Sequence, residues 1–184
     1  MKREKSRIGT SVIILLMVLP FFQLLGEKPS ESSEKPPEGI LFLPRDDEIK
    51  GWKRDSEILT VPDPAGLFKI INGGASLYLK YGFQSYCGQT YKNIKGIEIE
   101  LSIFNQGSSQ KARQLYQDPL VVPKPGRTLE DLGDEARVDE RGMFHYGIEF
   151  IKDRYFVRVI IQDKSEQGLN AAILFSRFVL QRIK

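Results

Sequence analysis

The side chains that could do chemistry in this 184-residue chain are few and scattered. His145 is the only histidine and Cys87 the only cysteine. Zinc centres draw on several such ligands, so no metal site is expected. A lone cysteine also excludes an intrachain disulfide; it reads as a reactive thiol or as a small buried strand residue, and we expect the latter. On an expected strand, His145 shares a face with Glu149, which makes an acid–base pair conceivable; a solvated strand face is the simpler reading. Ser108-Ser109-Gln110-Lys111 fits a Ser-x-x-Lys pattern, but its companion motifs are missing and a helix start accounts for it. Asp131, Asp134, Glu135, Asp139 and Glu140 could attract a cation, yet they lack the rhythm of a calcium loop and are interleaved with Arg137 and Arg141. No catalytic residue is assigned, no cofactor is called for, and no Gly-rich phosphate loop is present.

A second group is suited to holding a ligand rather than reacting with it. Tyr78, Tyr81, Tyr86 and Tyr91 cluster near Asn72, Gly73 and Gly74. Tyrosine combines a flat apolar ring with one polar tip, which suits pockets and interfaces. Asn72, Gly73, Gly74, Tyr78 and Tyr81 are therefore the candidate ligand-binding residues, with ordinary core and rim packing as the alternative.

The elements that position them follow from patterning. Asp63-Pro64 opens a helix, with an acceptor for free N–H groups and a proline at the first helical position. Leu67, Ile70, Ile71, Gly74, Tyr78 and Tyr81 then keep helical spacing up to Gly82. Two glycines in the middle of that helix each cost about 1 kcal/mol against alanine. They imply either a groove where another backbone packs closely or a ligand approaching the helix. Trp52–Val61 reads as a first strand. Phe83–Tyr91 and Ile97–Phe104 read as a hairpin, the second strand alternating Ile97, Ile99, Leu101 and Ile103 against Glu98, Glu100 and Ser102. Ser108 or Ser109 caps a short helix through Tyr116, and the proline-bearing stretch 118–128 reads as a loop. Strands over 135–139, 143–151 and 155–162 follow, then an amphipathic helix from Ser165. The expected fold is α+β: a mainly antiparallel sheet of about five or six strands, packed by two longer helices and one short one.

The N-terminus sets the expected location. Lys2, Arg3, Lys5 and Arg7 precede Ile8–Leu25, which carries no charge. That is the order of a secretory signal or an N-terminal membrane anchor over residues 1–26. About 18 uncharged residues can just span a bilayer, and cleavage-compatible small residues occur at Gly26 and Ser30–Ser32, so both outcomes stay open. Residues 27–39, rich in Pro, Ser, Glu and Lys, read as a disordered linker, and 40–184 as a single α+β domain. Of 27 basic and 24 acidic side chains, residues 1–26 hold four and one, leaving 23 of each. A neutral exported part gives no reason to expect nucleic acid as a partner. The expected partner is a small ligand or an envelope protein, with the membrane reached through the N-terminal segment if it is retained. Localisation is then periplasmic or extracellular, with anchoring through residues 8–25 possible.

Ile70-Ile71-Asn72-Gly73-Gly74-Ala75-Ser76-Leu77-Tyr78-Leu79-Lys80-Tyr81-Gly82-Phe83, after Gly51-Trp52, resembles a family of exported bacterial proteins of unknown function. Its members share a Gly-Trp start, an Asn-Gly-(Gly/Ala)-Ala-x-x-Tyr helix and a Tyr-Gly-Phe exit. The match covers most of residues 40–184. The family usually has Glu where this chain has Ser76, so no role for that carboxylate carries over. Leu132-Gly133-Asp134-Glu135-Ala136, followed by strands and an apolar helix, resembles extracytoplasmic sensor-type and PsbP-like domains at the level of fold. Neither resemblance implies catalytic residues. The resulting expectation is a non-catalytic envelope binding domain. The alternatives are an envelope enzyme built around Asn72, Asp134 and His145, and a structural or assembly role.

Overall fold

The computed structural model describes residues 36–71 and 73–183; the expected signal or anchor over 1–26, most of the expected linker over 27–39, Asn72 and Lys184 lie outside the described residues. A 3-10 helix, Glu38–Phe42, precedes strands β1 (Trp52–Arg54) and β2 (Leu59–Val61). Helices α1 (Pro64–Ile70) and α2 (Ala75–Lys80) follow, then β3 (Ser85–Asn93), β4 (Glu98–Asn105) and α3 (Ser109–Gln117). The chain continues through β5 (Gly126–Thr128), β6 (Glu135–Asp139), β7 (Tyr146–Lys152), β8 (Tyr155–Ile161) and α4 (Glu166–Arg182). All pairings are antiparallel, in the order β1-β3-β4-β8-β7-β6-β5, with β2 also on β3. The class is α+β, as expected. Among the described residues no helix is long and apolar enough to cross a membrane.

Strand alternation gives the sheet two different faces. On one, Ile99, Leu101, Ile148, Phe150, Val157 and Val159 pack beneath Ala172, Phe175 and Val179 of α4. Ser165 accepts from the Gly168 N–H and fixes where that helix begins. On the other face, Phe104, Ile151 and Phe156 meet Leu67 of α1, Ala75 of α2 and Ala112 and Leu115 of α3. Ser108 caps α3 through the Lys111 N–H, so the Ser-x-x-Lys residues do form a helix start.

Four expectations need correction. The sheet has eight strands rather than five or six, because β1, β2 and β5 span only three residues each. The single strand expected over Trp52–Val61 is broken by the polar run Asp55-Ser56-Glu57; there the Gln89 side-chain amide donates to the Ser56 carbonyl at 2.7 Å in place of a ladder bond. The first of the two longer helices is two short ones. Gly73 adopts φ +70°, a left-handed conformation that an α-helix excludes, and no neighbour lies within 4 Å of where its β-carbon would stand. The pair therefore makes a turn between α1 and α2 rather than a close-packed groove. Lastly, β7 begins at Tyr146, not Met143; Met143 and Phe144 belong to the exposed β6–β7 connection.

Candidate functional site

The helices cover only part of the second sheet face. Register places side chains there in rows that cross five strands. The first row, Tyr86–Phe104–Phe156–Ile151–Glu135, runs beneath the helices. The next is Gly88–Ser102–Arg158–Glu149–Arg137, and the third Thr90–Glu100–Ile160–Gly147–Asp139. The β3–β4 end of these two rows borders a groove of about 400 Å³, walled by Ser56, Glu57 and Leu59 and floored by Gly88, Thr90 and Ser102. Gly88 is required there, because a β-carbon would run into the Tyr86 ring, which lies across it. The Tyr86 and Ser102 hydroxyls stand 3.3 Å apart at the groove edge.

At the other end the rows become a chain of alternating charges. Arg137 donates from Nε to Glu149 Oε2 at 2.8 Å and from Nη1 to the Tyr116 carbonyl at 2.7 Å, with its guanidinium 3.9 Å over the Tyr116 ring. Arg141 grips Asp139 with two bonds, of 2.9 and 2.7 Å. Arg158 lies between the two carboxylates, 3.5 Å from Glu149 and 3.7 Å from Asp139. Glu149 and Asp139 are buried, and such charges persist away from water only when paired. Burial raises the Asp139 pKa, but the Arg141 hydrogen bonds outweigh it and hold the carboxyl below its ordinary value.

The candidate ligand residues take separate places around this face. Gly73 and Gly74 form the turn before α2, while Asn72 is not among the described residues. Tyr78 stacks on Phe104 with ring centres 4.3 Å apart, and burial pushes its phenol up to about 12 despite the nearby Arg158. Tyr81 points elsewhere, donating to Asp118 Oδ2 at 2.6 Å, where Lys80 also binds at 3.2 Å. Tyr91 lies on the α4 side of the sheet and donates to the Pro44 carbonyl. Tyr78 and Tyr86 thus meet around Phe104, whereas Tyr81 and Tyr91 serve other contacts.

The residues considered for chemistry are dispersed. His145 precedes β7 and its ring lies against Gly142; it does not share a strand face with Glu149, which is buried against Arg137 and Arg158 rather than solvated. Asp134 sits at the opposite end of β7, taking the Lys152 ammonium on one oxygen and the Asp153 N–H on the other. A seven-residue strand separates it from His145, about 20 Å along the sheet. The acidic stretch is laced by ion pairs: Glu135 with Arg113, Glu140 with Arg127, Asp139 with Arg141. Among the described residues no three of His, Cys, Asp and Glu are placed to hold a metal. Cys87 is buried, its thiol pushed up to about 12 by burial alone. A larger cavity of about 550 Å³ lies between Tyr116, Pro123 and the 127–137 segment, but Arg137, Asp134 and Glu135 on its walls are already paired.

Sequence reasoning missed Arg137, Arg158 and Ser102 as a group, because only the strand order β4-β8-β7-β6 brings them into one row. Taken together, the chain is an α+β domain with one fully covered sheet face and one that is half open and polar. No protein-family model and no curated protein matches it. Among solved structures it is similar to the extracellular domain of PknH from Mycobacterium tuberculosis, with 10% identity, a TM-score of 0.51, and 81% of this chain and 97% of that one covered. It also resembles a GTP-binding regulator from Thermotoga maritima, with 8% identity, a TM-score of 0.45, and 81% and 94% covered. At such identities the likeness to the first is one of fold and reaches no side chain.

Proposed function

We propose that this chain is an exported, non-catalytic binding domain of the cell envelope, taking a small ligand or a segment of an envelope protein on the open half of its sheet. The observation that carries this reading is the strip Gly88–Ser102–Arg158. It combines a glycine, a serine hydroxyl that meets the Tyr86 hydroxyl at 3.3 Å and a partly exposed guanidinium on the part of the sheet face that no helix covers. Binding sites are typically concave, with a few placed polar groups beside apolar walls. Of the ligand residues expected from sequence, Tyr78 would border the site, since it and Tyr86 meet around Phe104.

Export is supported by the basic-then-apolar order of residues 1–26, read as a signal or anchor, and by the Pro-, Ser- and Glu-rich stretch that follows it in the sequence. The likeness in fold to an extracellular domain points the same way, as does the resemblance to exported bacterial proteins. The enzyme reading around Asn72, Asp134 and His145 has nothing to favour it, since Asp134 and His145 stand at opposite ends of β7.

Two measurements test the proposal. Cell fractionation should place the product in the envelope; full-length chain free in the cytosol would overturn export. Thermal-shift screening of the full chain against small metabolites should find a stabilising ligand, since a molecule that binds only the folded state raises its melting temperature. A substitution-sensitive turnover dependent on His145 would overturn the non-catalytic reading.

A further inference from the structure

Within the cluster of paired charges at the edge of the open face one cation is in excess, and it bears on what the face could bind. Arg141, Arg158 and Arg137 bring three positive charges against the two carboxylates of Asp139 and Glu149. Arg141 is held by its two bonds to Asp139, and Arg137 by close contacts of 2.7 and 2.8 Å to Glu149 and a bond to the Tyr116 carbonyl. Arg158 holds the surplus. Its distances of 3.5 and 3.7 Å are ion-pair contacts rather than hydrogen bonds, its buried Nε has no hydrogen-bond partner, and 32% of its side chain is exposed. A guanidinium offers a planar fork that matches a carboxylate. Directly across on β4 stands Ser102, whose hydroxyl can donate to the same group.

The groove beside Arg158 carries the opposite sign. Glu57 and Glu100 both line it, both are exposed, and neither forms an ion pair among the described residues. Glu100 is the diagonal neighbour of Arg158 across the β4–β8 pairing, so their β-carbons are about 7 Å apart. A cation-seeking pair thus lines a groove of about 400 Å³, and an anion-seeking fork stands one strand away, opposite the Ser102 that floors it. A purely anionic ligand would meet Glu57 and Glu100, and a purely cationic one Arg158.

We infer that the open half of the sheet binds a small zwitterion, a free amino acid or a short peptide, with its carboxylate on Arg158 and Ser102 and its ammonium on Glu100 and Glu57. This rests on the binding reading above and names the ligand class for that site. The Tyr86 ring, lying over Gly88, forms the apolar wall for the carbon skeleton.

Calorimetric titration of the full chain with alanine, leucine and trialanine tests this, alongside alaninamide, which lacks the carboxylate, and N-acetylalanine, which lacks the ammonium. A parent zwitterion should bind, and each blocked form should bind about tenfold more weakly or worse. Alanine against trialanine distinguishes a free amino acid from a peptide. Glu100→Gln should weaken binding by about tenfold and leave folding intact, because Glu100 is exposed. Arg158→Lys, which keeps the charge but loses the fork, should weaken it too. Blocked forms binding as well as their parents, an unchanged Glu100→Gln affinity, or no binding by any probe at about 10 mM would each overturn the inference. In those cases a neutral ligand or a protein partner that protects Gly88–Ser102 leaves the broader binding reading standing; none at all removes both.

Discussion

Arg158 and Glu149 stand directly opposite each other on neighbouring strands, yet their nearest charged atoms are 3.5 Å apart. Glu149 gives its short contacts to Arg137 instead, at 2.7 and 2.8 Å. One carboxylate therefore sits between a tightly bound arginine, sealed under Tyr116, and a loosely held one that reaches the open face. Structural and binding roles divide along that row.

The buried half of the row should dominate stability. Glu149→Leu leaves the Arg137 guanidinium without its partner, and breaking a buried pair from one side costs about 3 kcal/mol. Urea unfolding of the full chain should show that loss, while Arg137→Met combined with Glu149→Leu should recover much of it, since an apolar pair can replace a buried ion pair. A single-variant loss below about 1 kcal/mol would mean that the pair is more solvated than its geometry implies.

The break between α1 and α2 gives a prediction of sign. In a continuous helix, Gly73→Ala would stabilise by about 1 kcal/mol. At φ +70° the same change should instead destabilise by about 1 kcal/mol, because a β-carbon disfavours that conformation. Thermal denaturation of the variant decides between a turn and an unbroken helix.

Acid should weaken the fold. The Tyr81 hydroxyl, the Leu120 N–H and Lys80 hold Asp118 below its ordinary value. Asp134 is raised by burial but lowered further by Lys152 and the Asp153 N–H, and Asp139 is likewise lowered on balance. Depressed folded-state values mean that the unfolded chain takes up protons first. Their stabilisation is full above about pH 4 and is lost as pH falls through the lower folded values. The unfolding midpoint should drop on acidification below that point, and less steeply in Tyr81→Phe; a midpoint that rises would contradict these pairings.

Cys87 should be inert in the folded protein. Its burial against the 3-10 helix, where a β-carbon on Gly39 would strike its sulfur, leaves little thiolate at neutral pH. Alkylation by iodoacetamide should await denaturation; rapid labelling of native chain would show that the 3-10 segment opens.

Local signals were readable from sequence where one stretch of chain decides the outcome. Ser108 and Ser165 mark their helices because a cap depends on the next three residues. The β3–β4 hairpin is legible because Ile99, Leu101 and Ile103 alternate with Glu98, Glu100 and Ser102, and Glu100 does face water. Glu149 shows the limit. Its strand alternation resembles a wet face, but Arg137 and Arg158 arrive from other strands and close over it. The same non-local pairing hides the candidate site, whose residues span Ser56 to Arg158. The Gly73–Gly74 break was visible as an oddity, but helical spacing on either side masked the turn.

The most direct test of a binding face on the open half of the sheet is amide-resolved chemical-shift mapping of the full chain titrated with alanine and trialanine. Shifts should concentrate at Gly88, Thr90, Glu100, Ser102 and Arg158, and in Glu100→Gln should need about tenfold more ligand. Shifts confined to the Tyr116–Arg137 cavity, with the β3–β4–β8 face silent, would contradict it.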